Sequence, residues 1–180
     1  MKKKPNYDLI VAASAVVISL CALVVSLYEA QLMRKHEKAN LWPYLHLDIA
    51  YSNDGFRLEL QNRGTGPAKI KGAVFLHNGK VFKNWDELIN QLMPTGHKIT
   101  YSIYKVNSFS YQVLPAGEQI ILFKVPWNEE TRAFVKKVGE IEYELCYCSF
   151  YEDCWTLYSK DKKTQKEGDC SIPEEDLFDY

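Results

Sequence analysis

The chain has 180 residues, 47% hydrophobic and 25% charged, with 22 Lys+Arg against 23 Asp+Glu. These values are ordinary for one folded domain and exclude a disordered, collagen-like or strongly basic protein. From residue 40 onward carboxylates outnumber cationic side chains, which leaves no basic field for nucleic acid or anionic lipid.

Residues 1–8 form a basic flank with Lys2, Lys3 and Lys4. Leu9–Leu27 follows without a charge, a proline or a glycine. As a helix this run is about 28 Å long, close to the hydrocarbon thickness of a bilayer, and it is apolar all round. It is longer than the apolar region of a signal peptide, and no small-residue cleavage site follows, only Ser26-Leu27-Tyr28-Glu29-Ala30. Leu20 before Cys21 argues against a lipoprotein. The expectation is an uncleaved transmembrane helix over 9–28 that uses Leu9–Leu27 to meet the lipid bilayer, giving a single-pass protein of the cell (inner) membrane. Lys2, Lys3 and Lys4 balance Arg34, Lys35 and Lys38. The α-amine and the closer spacing tip the charges toward an inside N-terminus and an extracytoplasmic domain. Residues 29–40 are strong helix formers and predict a helical juxtamembrane stalk ending ahead of Pro43.

From Leu41 the apolar period becomes two. Leu45, Leu47, Ile49 and Tyr51 alternate with polar or small residues, and Phe56, Leu58 and Leu60 do so again across the Asp54-Gly55 hairpin signal. A third strand over 68–77 meets Asn78-Gly79 and continues at Lys80–Phe82. A helix over 85–93 is predicted from the capping pair Asn84 and Glu87, with Trp85, Leu88, Ile89 and Leu92 on one face. Strands follow near 99–106 and 109–114, then a Pro115–Gly117 turn and a strand over 119–125. A second helix over 129–138 runs from Asn128 to Gly139, a residue favoured for a left-handed C-cap. A terminal hairpin over 141–150 and 154–159 ends the domain, and 160–180 reads as a charged, flexible tail. The pattern predicts a mainly β protein: an antiparallel β-sandwich of Ig-like kind over 41–159, with two short helices. A closed barrel fits the same pattern.

His36–Leu45 directly after the apolar run, with Gln61-Asn-Arg-Gly-Thr-Gly-Pro-Ala68 and Leu114-Pro-Ala-Gly-Glu118, resembles a group of uncharacterised bacterial single-pass membrane proteins. In that group a His…Pro-x-Leu opening strand and an Asn-x-Gly-x-Gly-Pro-Ala loop lie on a β-sandwich. Glu37 stands where the group commonly has Asn. The resemblance implies a bacterial origin and this architecture, and no activity.

Asn62, Gly64, Gly66 and Pro67 form a structural loop. Lys69 stands where a dinucleotide fingerprint needs glycine, and Pro67 follows Gly66 where a Walker loop needs lysine. The glycines are expected to supply positive φ angles between two strands. The histidines at 36, 46, 77 and 97 lack metal-ligand spacing, and no G-x-S-x-G elbow occurs. Cys146, Cys148, Cys154 and Cys170 lack the C-x2-C spacing of a zinc ribbon. Cys146 and Cys148 share a strand face. A two-residue turn would put Cys154 on the opposite face, whereas three- or five-residue loops bring it to theirs, the five-residue loop directly opposite Cys148. Unpaired thiols, a structural disulfide, and a metal or redox site all remain open for Cys146, Cys148 and Cys154. No cofactor and no metal site is expected. The leading functional expectation is a non-enzymatic interaction or structural module, tethered to the membrane, that holds an unknown partner protein. The alternative is a thiol- or metal-dependent redox protein or sensor using those cysteines.

Overall fold

A computed structural model describes residues 7–98, 104–105, 110–159, 163–167, 170 and 172–178. The chain divides into two compact units, Met1–Asn40 and Leu41–Tyr180.

The first unit is one helix, α1 (Tyr7–Asn40), long and apolar enough to cross a membrane and with no residue buried inside the protein. The expected span and stalk are a single element. Its three serines bond back to the preceding turn: Ser14 Oγ to Val11 O, Ser19 Oγ to Ala15 O and Ser26 Oγ to Ala22 O, at 2.8–2.9 Å. Their hydroxyls therefore present no unpaired donor to an apolar surrounding.

The second unit holds two antiparallel sheets. The first has the order β1-β2-β7-β5, with β1 (Leu45–Ser52), β2 (Gly55–Asn62), β7 (Gln119–Pro126) and β5 (Tyr104–Lys105). The second has the order β10-β9-β8-β3-β4, where β3 is Ala68–His77, β4 Lys80–Phe82, β8 Glu142–Cys148, β9 Cys154–Tyr158 and β10 Lys163–Glu167; β6 (Val113–Leu114) also pairs with β3. Much of the predicted 99–106 and 109–114 strands lies outside the described residues. Asn78 and Gly79 turn β3 into β4 with positive φ at both positions, 52° and 78°, as a type I′ hairpin requires.

The two helices, α2 (Trp85–Leu92) and α3 (Glu129–Val138), start where their caps predict. Asn84 Oδ1 accepts from Glu87 N at 2.9 Å, and Asn128 and Thr131 form a reciprocal capping box. Gly139 differs from expectation: its φ of −65° is right-handed, because the chain continues into a further tight turn in which Glu140 N reaches Lys137 O and Ile141 N reaches Val138 O. One apolar core gathers Phe56, Leu60 and Phe123 from the first sheet, Phe75, Tyr147 and Leu157 from the second, and Trp85 and Phe134 from the helices. By residue count the chain is roughly a third helix and a third strand, rather than mainly β, since α1 alone takes 34 residues.

The stretch after 159 also departs from the expected flexible tail. It contributes β10, and Cys170 and Phe178 are buried. Phe178 N bonds to Ala73 O at 2.8 Å, and its ring lies 4.6 Å from Phe75 and 4.7 Å from Trp85. A segment ending in two aromatic contacts and a backbone hydrogen bond of this kind is a strap, and it belongs to the head.

Candidate functional site

Three features of the head could bear on function: the loop after β2, the cysteine cluster, and a groove beside β1.

Asn62 is fully buried, and its side chain meets four backbone groups. Nδ2 donates to Gly66 O at 2.8 Å and Leu114 O at 3.0 Å, while Oδ1 accepts from Gly64 N at 3.0 Å and Tyr44 N at 3.2 Å. Arg63 N donates to Tyr44 O at 2.7 Å, and Thr65 N to Trp42 O at 2.9 Å. The loop is therefore a clasp on Leu41–Tyr44, the four residues that lead into β1. Its glycines serve a different purpose from the one expected. Neither Gly64 nor Gly66 has a positive φ; a Cβ on Gly64 would strike Trp42 O and Tyr44 N, and one on Gly66 would strike Leu41 O. Close backbone approach is what demands them.

The four cysteines after residue 140 form a buried cluster on the face of β8 and β9 turned away from the main core. Cys148 and Cys154 are joined in a disulfide, with their Cα atoms 4.0 Å apart. They are direct cross-strand partners across a five-residue loop, Ser149–Asp153, the longest of the loops compatible with a shared face. Ser149 N donates to Asp153 O at 2.8 Å, so the next pair inward is the closely spaced, non-hydrogen-bonded kind. Cys146 is joined to Cys170, with a Cα separation of 5.7 Å. That bond fastens the strap over β8. Beyond it Leu177 fills the space over Gly72, which faces Cys146 across the β3–β8 pair; any Cβ at 72 would collide with the Leu177 side chain. The Sγ atoms of Cys148, Cys154 and Cys170 lie within 4.8 Å of one another, the one such group of three among the described residues. Reduced, they would be soft thiolate ligands; as disulfides they offer none.

At the tip of this hairpin Glu152 meets Lys69 Nζ at 2.6 Å and Lys71 Nζ at 3.8 Å. The hydrogen bond and charge of Lys69, then the charge of Lys71, hold the Glu152 carboxyl below its ordinary range. A depressed folded-state pKa contributes stability above the unfolded value that is lost as pH falls through the folded one. The carboxylate is solvent-exposed, so the expected effect is a displaced titration. Carboxyl-detected NMR should find the Glu152 midpoint below that of a free glutamate, and Lys69→Gln should move it back upward.

The third feature went unnoticed in the sequence. β1 is the outer strand of its sheet, and a groove of about 570 Å³ runs beside it, closed on the far side by residues 138–143. Leu47, Ile49, Leu58, Phe75, Ile141 and Leu157 give it an apolar floor. Its rim holds Asp48, Glu140 and Glu142, and among the described residues neither lysine nor arginine lines it. Asp48 is held by His46 Nε2 at 2.9 Å and by Arg63 Nη2; Glu140 lies 3.4 Å from His77 Nε2. Tyr143 titrates above the ordinary tyrosine value, first because burial disfavours the phenolate and second because Asp48 repels it. The hydroxyl therefore stays protonated as a donor.

Comparison with family models, with curated proteins and with solved structures finds no match to this chain. The site must be judged on its own geometry. The cysteines named from the sequence converge, with Cys170 joining them, and Asn62, Gly64, Gly66 and Pro67 form a structural clasp. The alternation Leu47-x-Ile49 was visible as a half-buried strand, but no local signal says which strand of a sheet is left at the edge.

Proposed function

We propose that the protein is a single-pass protein of a bacterial cell (inner) membrane. Its β-sandwich head stands outside the cytoplasm and holds a partner protein without catalysis. The observation that carries this reading is the pair of disulfides, Cys146–Cys170 and Cys148–Cys154, in a chain whose α1 is apolar enough to span lipid. Disulfides persist in oxidising compartments and are rare in the reducing cytoplasm. They favour the same orientation as the flanking charges. The core common to both sheets supports an Ig-like sandwich, in which two antiparallel sheets bury their facing sides. The apolar groove with its open strand supports binding rather than chemistry.

Alkylation of thiols as intact cells are lysed, followed by mass spectrometry, tests this. With the reagent added as the chains are unfolded in denaturant, Cys146, Cys148, Cys154 and Cys170 should be modified only after reduction, and Cys21, within the apolar span, serves as the thiol that needs no reductant. Modification of those four without a reductant would put the head on the reducing side. It would also favour the thiol- or metal-dependent alternative for Cys146, Cys148 and Cys154.

A further inference from the structure

We propose that the groove beside β1 is a strand-addition site. In this assignment an extended segment of a partner protein, with alternating apolar and basic residues, pairs with the outer edge of β1. The inference rests on the head being a binding module and names the kind of partner it takes.

The register fixes which backbone groups turn away from β2. Ser52 pairs with Gly55 across the two-residue turn, and Arg63 N reaches Tyr44 O at the other end of the hairpin. Hydrogen-bonded pairs alternate along an antiparallel ladder, so residues 44, 46, 48, 50 and 52 point their N–H and C=O groups toward β2. Leu45, Leu47, Ile49 and Tyr51 point theirs away. At the lower end this is visible directly, because the backbone of Asn62, the partner of Leu45, turns to the two residues ahead of β7: its N–H donates to Glu118 O at 3.0 Å and its C=O accepts from Gly117 N at 2.9 Å. Among the described residues none pairs with the backbone groups of Leu47 and Ile49. They present two donor–acceptor sets about 6.8 Å apart, along a space where a neighbouring strand would lie about 4.8 Å away.

The side chains define what fits. Leu47 and Ile49 face inward, against Leu60 and Leu58, so partner residues opposite them fall on the apolar floor. Residues between those fall on the outer side, where His46 and Asp48 stand, with Glu140 and Glu142 on the facing rim. Glu140, with its side chain 64% exposed on the facing rim and no lysine or arginine among the described lining residues, calls for lysine or arginine at the alternate positions, while Asp48 is already paired with Arg63. A second copy of this chain is disfavoured as occupant, because pairing β1 with β1 would bring two acidic rims together. Backbone bonds supply affinity and alternate side chains supply selection, as in other strand-addition complexes.

The test uses the full chain in detergent micelles and a synthetic probe, an acetylated and amidated seven-residue peptide alternating Val and Lys. Fluorescence anisotropy should show saturable binding, and hydrogen exchange should show new protection at the Leu47 and Ile49 amides. Methylating the two peptide amides that face β1 removes hydrogen bonds without changing side chains, and should weaken binding by about tenfold or more. Exchanging the peptide lysines for glutamate should weaken it to a similar degree. Glu140→Lys, at an exposed carboxylate, should reverse part of that preference and leave the fold intact. The assignment is overturned by any of three results: equal binding of the methylated peptide, binding without protection at Leu47 and Ile49, or self-association of the chain through this edge. Cysteine alkylation reports the side of the membrane without reference to the groove, so either conclusion can fail alone.

Discussion

Replacing Cys146 and Cys170 together by alanine should lower the stability of the head by about 3.5 kcal/mol, the chain-entropy value for a loop of this length. The two residues are 24 apart in sequence, against 6 for Cys148 and Cys154, so Cys148→Ala with Cys154→Ala should cost less, about 2.4 kcal/mol. Urea unfolding of the full chain in detergent, followed by the fluorescence of buried Trp85 and Trp155, measures both. The larger loss should carry a signature of its own. Without the bond the part of the strap beyond β10 is held, among the described residues, by Ile172, Leu177 and Phe178, and hydrogen exchange at the Phe178 amide, now bonded to Ala73 O, should accelerate before the core amides do. A smaller loss for the Cys146 and Cys170 pair than for the hairpin pair would mean that the strap is fixed by its apolar contacts. The two losses should not simply add, because the sulfurs adjoin.

Local chemistry made much of this fold legible. The length and uniform apolarity of residues 9–27 forecast α1, the Asn78-Gly79 dipeptide forecast its hairpin, and Asn84 and Asn128 marked the helix starts to the residue. These signals act within a few positions and are decided by backbone geometry. The strap gives no such signal. Ile172, Leu177 and Phe178 follow neither a helical nor a strand period, they sit among Pro173 and acidic residues, and their partners Gly72, Ala73, Phe75 and Trp85 are about a hundred residues earlier. The cysteine geometry lay between these cases. Period two put Cys146 and Cys148 on one face, yet pairing Cys154 with Cys148 required the hairpin loop to have five residues, and Glu152 takes a positive φ of 58° within it. The groove was the least legible feature, since it depends on β1 ending as an edge and on residues 138–143 from a distant segment forming the other wall.

The clasp at Asn62 links local sequence to that groove. Leu41–Tyr44 runs straight into β1, and the side chain that holds Tyr44 also holds Gly64, Gly66 and Leu114. Asn62→Ala would take the side-chain donor from the Gly66 and Leu114 carbonyls and the acceptor from the half-buried Tyr44 and Gly64 amides, at a position that is itself fully buried. At the usual cost of buried unpaired groups, partly relieved by relaxation, the loss should be about 3 kcal/mol. Asn62→Asp tests the polarity of the same contacts. Its oxygens still accept from Tyr44 N and Gly64 N, but the ionised carboxylate also faces Gly66 O and Leu114 O, to which Asn62 donates. Burial beside two carbonyls raises the folded-state pKa of such a carboxyl above its unfolded value, so the variant should be most stable at acid pH and lose stability as pH rises through the folded-state value. Asn62→Ala should show no corresponding dependence. Urea midpoints across a pH series separate the two. In both variants, hydrogen exchange at His46 and Asp48, whose amides bond to β2, should quicken ahead of the core, because freeing Tyr44 frays the start of the strand whose outer edge the proposed partner would use.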